Sequence, residues 1–158
     1  KIVPERHIIP LGQPEVLSKG SHLAILAVGR MVGIAKDVAA VLASKGIGAE
    51  VVNLRFIKPL EAGFICDLGR KYSRLVTLED NSVAGGFGAA VLELLAEHKV
   101  QTDLLQIGIP DEFVEHGRVD ILFELLGMDS ESILERILKR WPDIGQHRPL
   151  ELRKIGQS

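Results

Sequence analysis

Residues 22–29, HLAILAVG, run apolar without interruption after His22 and close on a glycine. A strand with one wet face alternates apolar and polar side chains, so an unbroken run of this length marks a strand buried on both faces of a sheet. The period then changes. Met31, Ile34, Ala35, Val38, Val41 and Leu42 recur at helical spacing, Lys36, Asp37 and Ser44 fall elsewhere, and Gly46 stands where a left-handed residue stops a helix. The alternation repeats with a strand over 49–55 (AEVVNLR), a helix over about 61–72 after the breaker Pro59, a strand over 74–80 (RLVTLED), a helix over about 88–98 and a strand over 103–109. Strands separated by helices rather than hairpin turns must pair in parallel. Right-handed crossovers then place helices on both faces of one open sheet.

The two ends read differently. Residues 1–20, with Pro4, Pro10, Gly12, Pro14 and Gly20, form an extended connector in which Glu15, Val16 and Leu17 make one short edge strand. The body spans 21–141 and closes with helices over about 118–126 and 130–141, the second capped by Asp129 or Ser130. From Pro142 the tail 142–158 is polar and loses periodicity, so an irregular end is expected. The first residues, Lys1-Ile2-Val3, carry no Met and no targeting pattern, and the chain reads as a piece of a longer one.

A domain of 158 residues buries roughly 68–70% of the surface of its unfolded form, enough for a core without staples. The hydrophobic fraction of 46% excludes a disordered polyelectrolyte, and no apolar run approaches the ~18 residues of a membrane helix. Nineteen basic and twenty-one acidic residues leave a net charge of −2, and aromatics are only 4%, so neither field nor stacking platform suits nucleic acid. Cys66, with Ile65 and Leu68 beside it, has no disulfide partner and implies a reduced, cytoplasmic setting.

Ligands of open α/β sheets sit beyond the carboxyl ends of the strands, which singles out residues 29–30, 55–59, 79–88 and 108–111. The glycines Gly85, Gly86 and Gly88 lie between a strand and a helix N-terminus, where free N–H groups and the helix dipole favour an anion. Val91 occupies the place of the third glycine of GxGxxG and no P-loop Lys-Ser/Thr follows. The competing reading is a tight turn with close backbone approach. Glu79 and Asp80 are neighbours on a strand and point to opposite sides, so a helix-capping carboxylate competes with acid–base chemistry. Arg55 and Lys58 could hold phosphate or pair with Glu79, Asp80 or a partner surface. His116 and Gly117 share a loop with Asp111, Glu112 and Glu115, but His98 and His147 bear no metal-ligand spacing to it. No GxSxG motif is present, and Cys66 falls on a helix without a base.

Three segments in order, NLRFIKPL at 53–60, VTLEDNSVAGGFG at 76–88 and IGIPDEFVEHG at 107–117, resemble the C-terminal domain of the 1-deoxy-D-xylulose-5-phosphate synthase family, thiamine-diphosphate enzymes of the transketolase superfamily. The ending LGMD at 126–129 and Pro10-Leu11-Gly12 are similar to that family too, so the resemblance covers about residues 8–141. It implies a three-layer α/β/α fold whose mostly parallel five-stranded sheet carries one short antiparallel edge strand. It singles out Arg55, Lys58, Pro59, Glu79, Asn81, Gly85, Gly86, Gly88, Pro110, Asp111, His116 and Gly117 as motif and contact residues. The family holds thiamine diphosphate and Mg²⁺ through a Gly-Asp-Gly motif in another domain, and no such motif occurs here. The resemblance therefore implies a packing or dimerisation domain with no catalytic, cofactor or metal residues of its own, inactive in isolation. Its implied partners are a preceding pyrimidine-binding domain and the second subunit of a homodimer. Alternatives are the matching domain of a transketolase or a 2-oxo-acid dehydrogenase β-subunit, and a free-standing anion-binding module.

Overall fold

The computed structural model describes residues 8–145. Its elements follow the alternation: β1 (Glu15–Ser18), β2 (Leu23–Ala27), α1 (Met31–Ser44), β3 (Ala49–Asn53), α2 (Ala62–Lys71), β4 (Arg74–Ser82), α3 (Phe87–Glu97), β5 (Asp103–Ile109), α4 (Val119–Leu125) and α5 (Ser130–Arg140). The five strands form one sheet in the order β1-β3-β2-β4-β5. β2 pairs in parallel with β3 and β4, and β4 with β5, while β1 runs antiparallel along β3 with Glu15 opposite Asn53. The expected mixed sheet with a short antiparallel edge is thus the one observed.

β2 explains the opening run of sequence. All five of its residues are fully buried, because alternate side chains enter two separate cores. On one face Leu23, Ile25 and Ala27 pack with α1 and α5, through Met31, Val38, Ile133 and Ile137. On the other, Ala24 and Leu26 pack with α2 and α3, through Ile65, Leu68, Val91 and Leu95. α1 stops at Lys45, and Gly46 follows at a φ of 78°. α5 starts at Asp129, whose carboxylate accepts the Glu131 and Ser132 N–H groups at 3.0 Å each, the capping geometry that its position implies.

Several boundaries differ from the sequence reading, β4 for one running to Ser82 rather than residue 80. β3 ends at Asn53 rather than residue 55, because Arg55 adopts a φ of 58° and donates its N–H to Asn53 Oδ1 at 3.0 Å, which turns the chain out of the sheet. Ile144, beyond the expected edge of the body at residue 141, is buried in the same core as Trp141. The turn that carries it is tied down by Arg74 on Asp143 at 3.1 Å, while Trp141 Nε1 donates to Asp103 at 2.8 Å. Residues 146–158 of the expected tail lie outside the described residues.

The amino ends of the strands are closed by a polar cluster. Glu50 of β3 is only 3% exposed, and its carboxylate receives Lys71 Nζ and the Tyr72 hydroxyl, which also reaches the Gly20 carbonyl at 2.7 Å. Burial alone would raise the Glu50 pKa, but those hydrogen bonds and the charges of Lys71 and Lys19 outweigh it and hold the carboxyl below the ordinary glutamate value.

Candidate functional site

The strand order reverses between β2 and β4, since the chain passes from β2 outward to β3 and then returns to β4 on the other side. The crevice at the carboxyl ends of those two strands is where an open α/β sheet holds a ligand. Here it is filled by the protein itself. Arg30, just after β2, places Nε 2.9 Å from Asp80 Oδ2 of β4, and its guanidinium lies 5.7 Å from the ring centroid of Phe123 on α4. The pair is partly exposed, so it acts as a clasp between strand ends and helix rather than as a strong source of stability.

The glycine turn beside it is closed in the same way. Glu79 is 2% exposed, and its two carboxylate oxygens accept the N–H groups of Phe87 (2.7 Å) and Gly88 (2.8 Å), the first two residues of α3. The anion that a helix N-terminus attracts is therefore a side chain of this chain, which removes the reading of Gly85, Gly86 and Gly88 as a free phosphate cradle. Those glycines serve the close packing instead. A Cβ on Gly86 would stand 2.1 Å from the Ser82 carbonyl oxygen and 2.4 Å from Glu79 Oε2, and one on Gly88 would stand 2.6 Å from Thr77 Oγ1. Gly85 takes the turn at a φ of 69°. The loop continues onto β5, where the Val83 N–H donates to the Ile109 carbonyl at 2.9 Å.

The remaining expected residues divide into two groups. Arg55 pairs with Glu15 of β1 at 2.8 Å, not with Glu79 or Asp80, because its left-handed backbone aims the side chain at the antiparallel edge. Lys58 and Pro59 are exposed and joined by a cis peptide bond. Next to them a shallow groove of about 260 Å³ is lined by Leu11, Gly12, Gln13, Pro59, Leu60, Glu61 and Ala62. Glu61, its one charged group, already caps α2 through the Phe64 N–H, which leaves the groove without free polar convergence. Asn81 is exposed at the end of β4. Pro110, Asp111, His116 and Gly117 lie in the exposed loop between β5 and α4, and no group of three or more His, Cys, Asp or Glu able to hold a metal occurs among the described residues. Sequence reasoning missed Arg30, Phe123 and Glu15 as partners. The pairs they form join elements far apart in the chain, and no periodicity signals them.

A family model for the transketolase C-terminal domain matches residues 12–133. The chain belongs to the transketolase C-terminal domain family. As such a domain it is 48% identical over its whole length to the 1-deoxy-D-xylulose-5-phosphate synthase of Syntrophomonas wolfei, and 47% identical over 85% of its length to that of Caldanaerobacter subterraneus. It spans about a quarter of the length of these curated relatives, 25% and 22% respectively. Among solved structures, this transketolase C-terminal domain is similar to the inactive β4 tetramer of a split-gene transketolase, with a TM-score of 0.76 and 30% identity, covering 87% of this chain and 44% of that one. A transketolase from Pichia stipitis matches 81% of the domain and 18% of its own chain with a TM-score of 0.59, and at 23% identity that likeness shows the fold alone.

Proposed function

We propose that this chain is the C-terminal packing domain of a thiamine-diphosphate-dependent 1-deoxy-D-xylulose-5-phosphate synthase. The parent enzyme would join pyruvate to glyceraldehyde 3-phosphate with release of CO₂, a step that feeds isoprenoid and thiamine synthesis. The observation that carries the choice of parent is 48% identity along the entire chain to a synthase about four times as long. The parent is taken to be a cytoplasmic homodimer. Among the described residues no helix is long and apolar enough to cross a membrane.

The residues present do not fit the cofactor. The sequence has no Gly-Asp-Gly motif, and the α3 N–H groups that could meet a diphosphate are held by the buried Glu79 carboxylate. No step of the reaction is therefore assigned to this chain, which acts by packing. The loops at 81–88 and 111–117, containing Asn81, Gly85 and Gly86 on one side and Asp111, His116 and Gly117 on the other, meet the pyrimidine-binding domain and the second subunit. Arg55, Lys58 and Pro59 shape the join to the preceding connector.

Complementation in trans tests this. The Syntrophomonas wolfei synthase, cut before its own C-terminal domain, is mixed with this chain and assayed for deoxyxylulose phosphate formation. Restored turnover is expected, with none from either piece alone. Failure here, together with rescue of a transketolase shortened in the same way, would assign the chain to that sister enzyme.

A further inference from the structure

Beyond the closed centre of the site, α4 and the loop before it leave large apolar side chains in solvent. Phe113 is 90% exposed, Leu125 76%, and Val119 and Ile121 48% each. Ile121 and Leu125 stand one turn apart and share a face. α4 has seven residues and none is buried, whereas a helix this short does not persist in water on its own propensity. Its inner side leans on the core through Phe123 and Leu126 and on Arg30, so half of the packing such a helix needs is present. An apolar surface of this kind marks an interaction site.

Charge narrows the occupant. Asp111, Glu112, Glu115, Asp120 and Glu124 are exposed around the patch, and the one arginine among them, Arg118, is engaged by Asp120 at 2.5 Å. A second copy of this chain seated face to face would set that acidic rim against itself, which costs free energy, while a partner with basic side chains around an apolar centre is drawn to it. Position narrows it further. Leu11 and Gly12 lie beside Pro59, past the carboxyl end of β3, so the connector lies at the same end of the sheet as α4, which is clasped there by Arg30 and Asp80. The relatives' additional length, three-quarters of each protein, supplies the mass to cover that end.

We propose that Phe113 and the Ile121/Leu125 face of α4 are the seat of the domain that precedes this one in the same polypeptide, and that this domain meets them with an apolar patch edged by lysine or arginine. The proposal rests on the reading of the chain as a C-terminal domain and adds the surface and the chemistry of its partner. The test uses the full-length enzyme carrying L125C, with S44C at the exposed end of α1 as the reference and the buried Cys66 as background. Maleimide labelling of the L125C thiol is expected to be at least about tenfold slower than that of S44C, with the protection unchanged when the enzyme is diluted to single subunits. Labelling at the S44C rate overturns the proposal, and so does protection lost on dilution, which would assign the face to the second subunit. Hydrogen exchange of the unsubstituted enzyme over residues 119–125 reads the same cover without a variant: slow exchange that persists on dilution to single subunits supports the seat, and exchange at the unprotected rate, or protection lost on dilution, overturns it. Turnover is measured separately. An inactive enzyme with a protected L125C thiol would fail the functional reading and keep the docking seat, and an active enzyme with an unprotected one would do the reverse.

Discussion

Two neighbouring regions at the carboxyl ends of the strands are built to opposite plans. In the centre, the charged groups that could have greeted a ligand are engaged within the chain: Glu79 fills the N-terminus of α3, and Arg30 clasps Asp80 and Phe123 across the switch point. At the β5 side, Phe113 stands in water on the loop before α4, and Ile121 and Leu125 do so on that seven-residue helix, which has no buried residue. The first region is finished within this chain, and the second leaves apolar surface uncovered. Chemistry needs unsatisfied, preorganised polar groups, and docking needs unsatisfied apolar surface. This domain offers the second kind at the place where its fold class usually offers the first.

The contrast is sharpest in stability. Glu79→Ala strips two buried N–H groups of their acceptor, at about 1–3 kcal/mol each, so a loss of roughly 2–5 kcal/mol is expected in urea unfolding. Leu125→Asp, on the open region, is expected to change the same midpoint by no more than about 0.5 kcal/mol. Similar losses for the two variants would erase the distinction between a closed centre and an open flank.

Next in size is Gly88→Ala. Its Cβ would lie 2.6 Å from Thr77 Oγ1 and 3.1 Å from Gln106, both held in the sheet, so a cost of about 1–3 kcal/mol is expected. Gly33 is the counterpart. It sits inside α1 with nothing within 4 Å of a Cβ, and Gly33→Ala is expected to stabilise by about 0.5–1 kcal/mol. Opposite signs in thermal unfolding mark which glycine the fold requires. A Gly88→Ala variant as stable as the parent would show that α3 and β4 do not meet as closely as described.

The pH dependence comes from the far end of the sheet. Glu50 has a folded pKa below its unfolded one, so the stability it contributes is fully present above the ordinary glutamate value and is lost as pH falls through the folded value. Asp103, lowered chiefly by its hydrogen bond from Arg140, acts in the same direction. Stability is thus expected to fall on acidification below about pH 4 and to fall less steeply in Glu50→Gln. An unchanged acid limb in that variant would remove Glu50 from the account.

The doubly buried β2 and the helices around it were legible in the sequence because periodicity reports burial directly, and residues 22–29 allow few other readings. The capping use of Glu79 was open as one of two alternatives, since alternation on a strand sends Glu79 and Asp80 to opposite faces. Its partners were not legible. That Arg55 reaches Glu15 depends on a left-handed backbone at a non-glycine residue, and that Arg30 reaches both Asp80 and Phe123 depends on strand order, which local pattern does not encode. The exposure of α4 was hidden for a related reason. A helical stripe announces an apolar face without saying whether this chain or another covers it.

The most direct test of the central claim, a domain that packs and holds no cofactor, is a calorimetric titration of the folded chain with thiamine diphosphate in the presence of Mg²⁺. No saturable heat is predicted, because the α3 N-terminus is held by Glu79 and no group of three or more His, Cys, Asp or Glu able to hold the Mg²⁺ occurs among the described residues. A saturable isotherm with one site per chain would contradict the account.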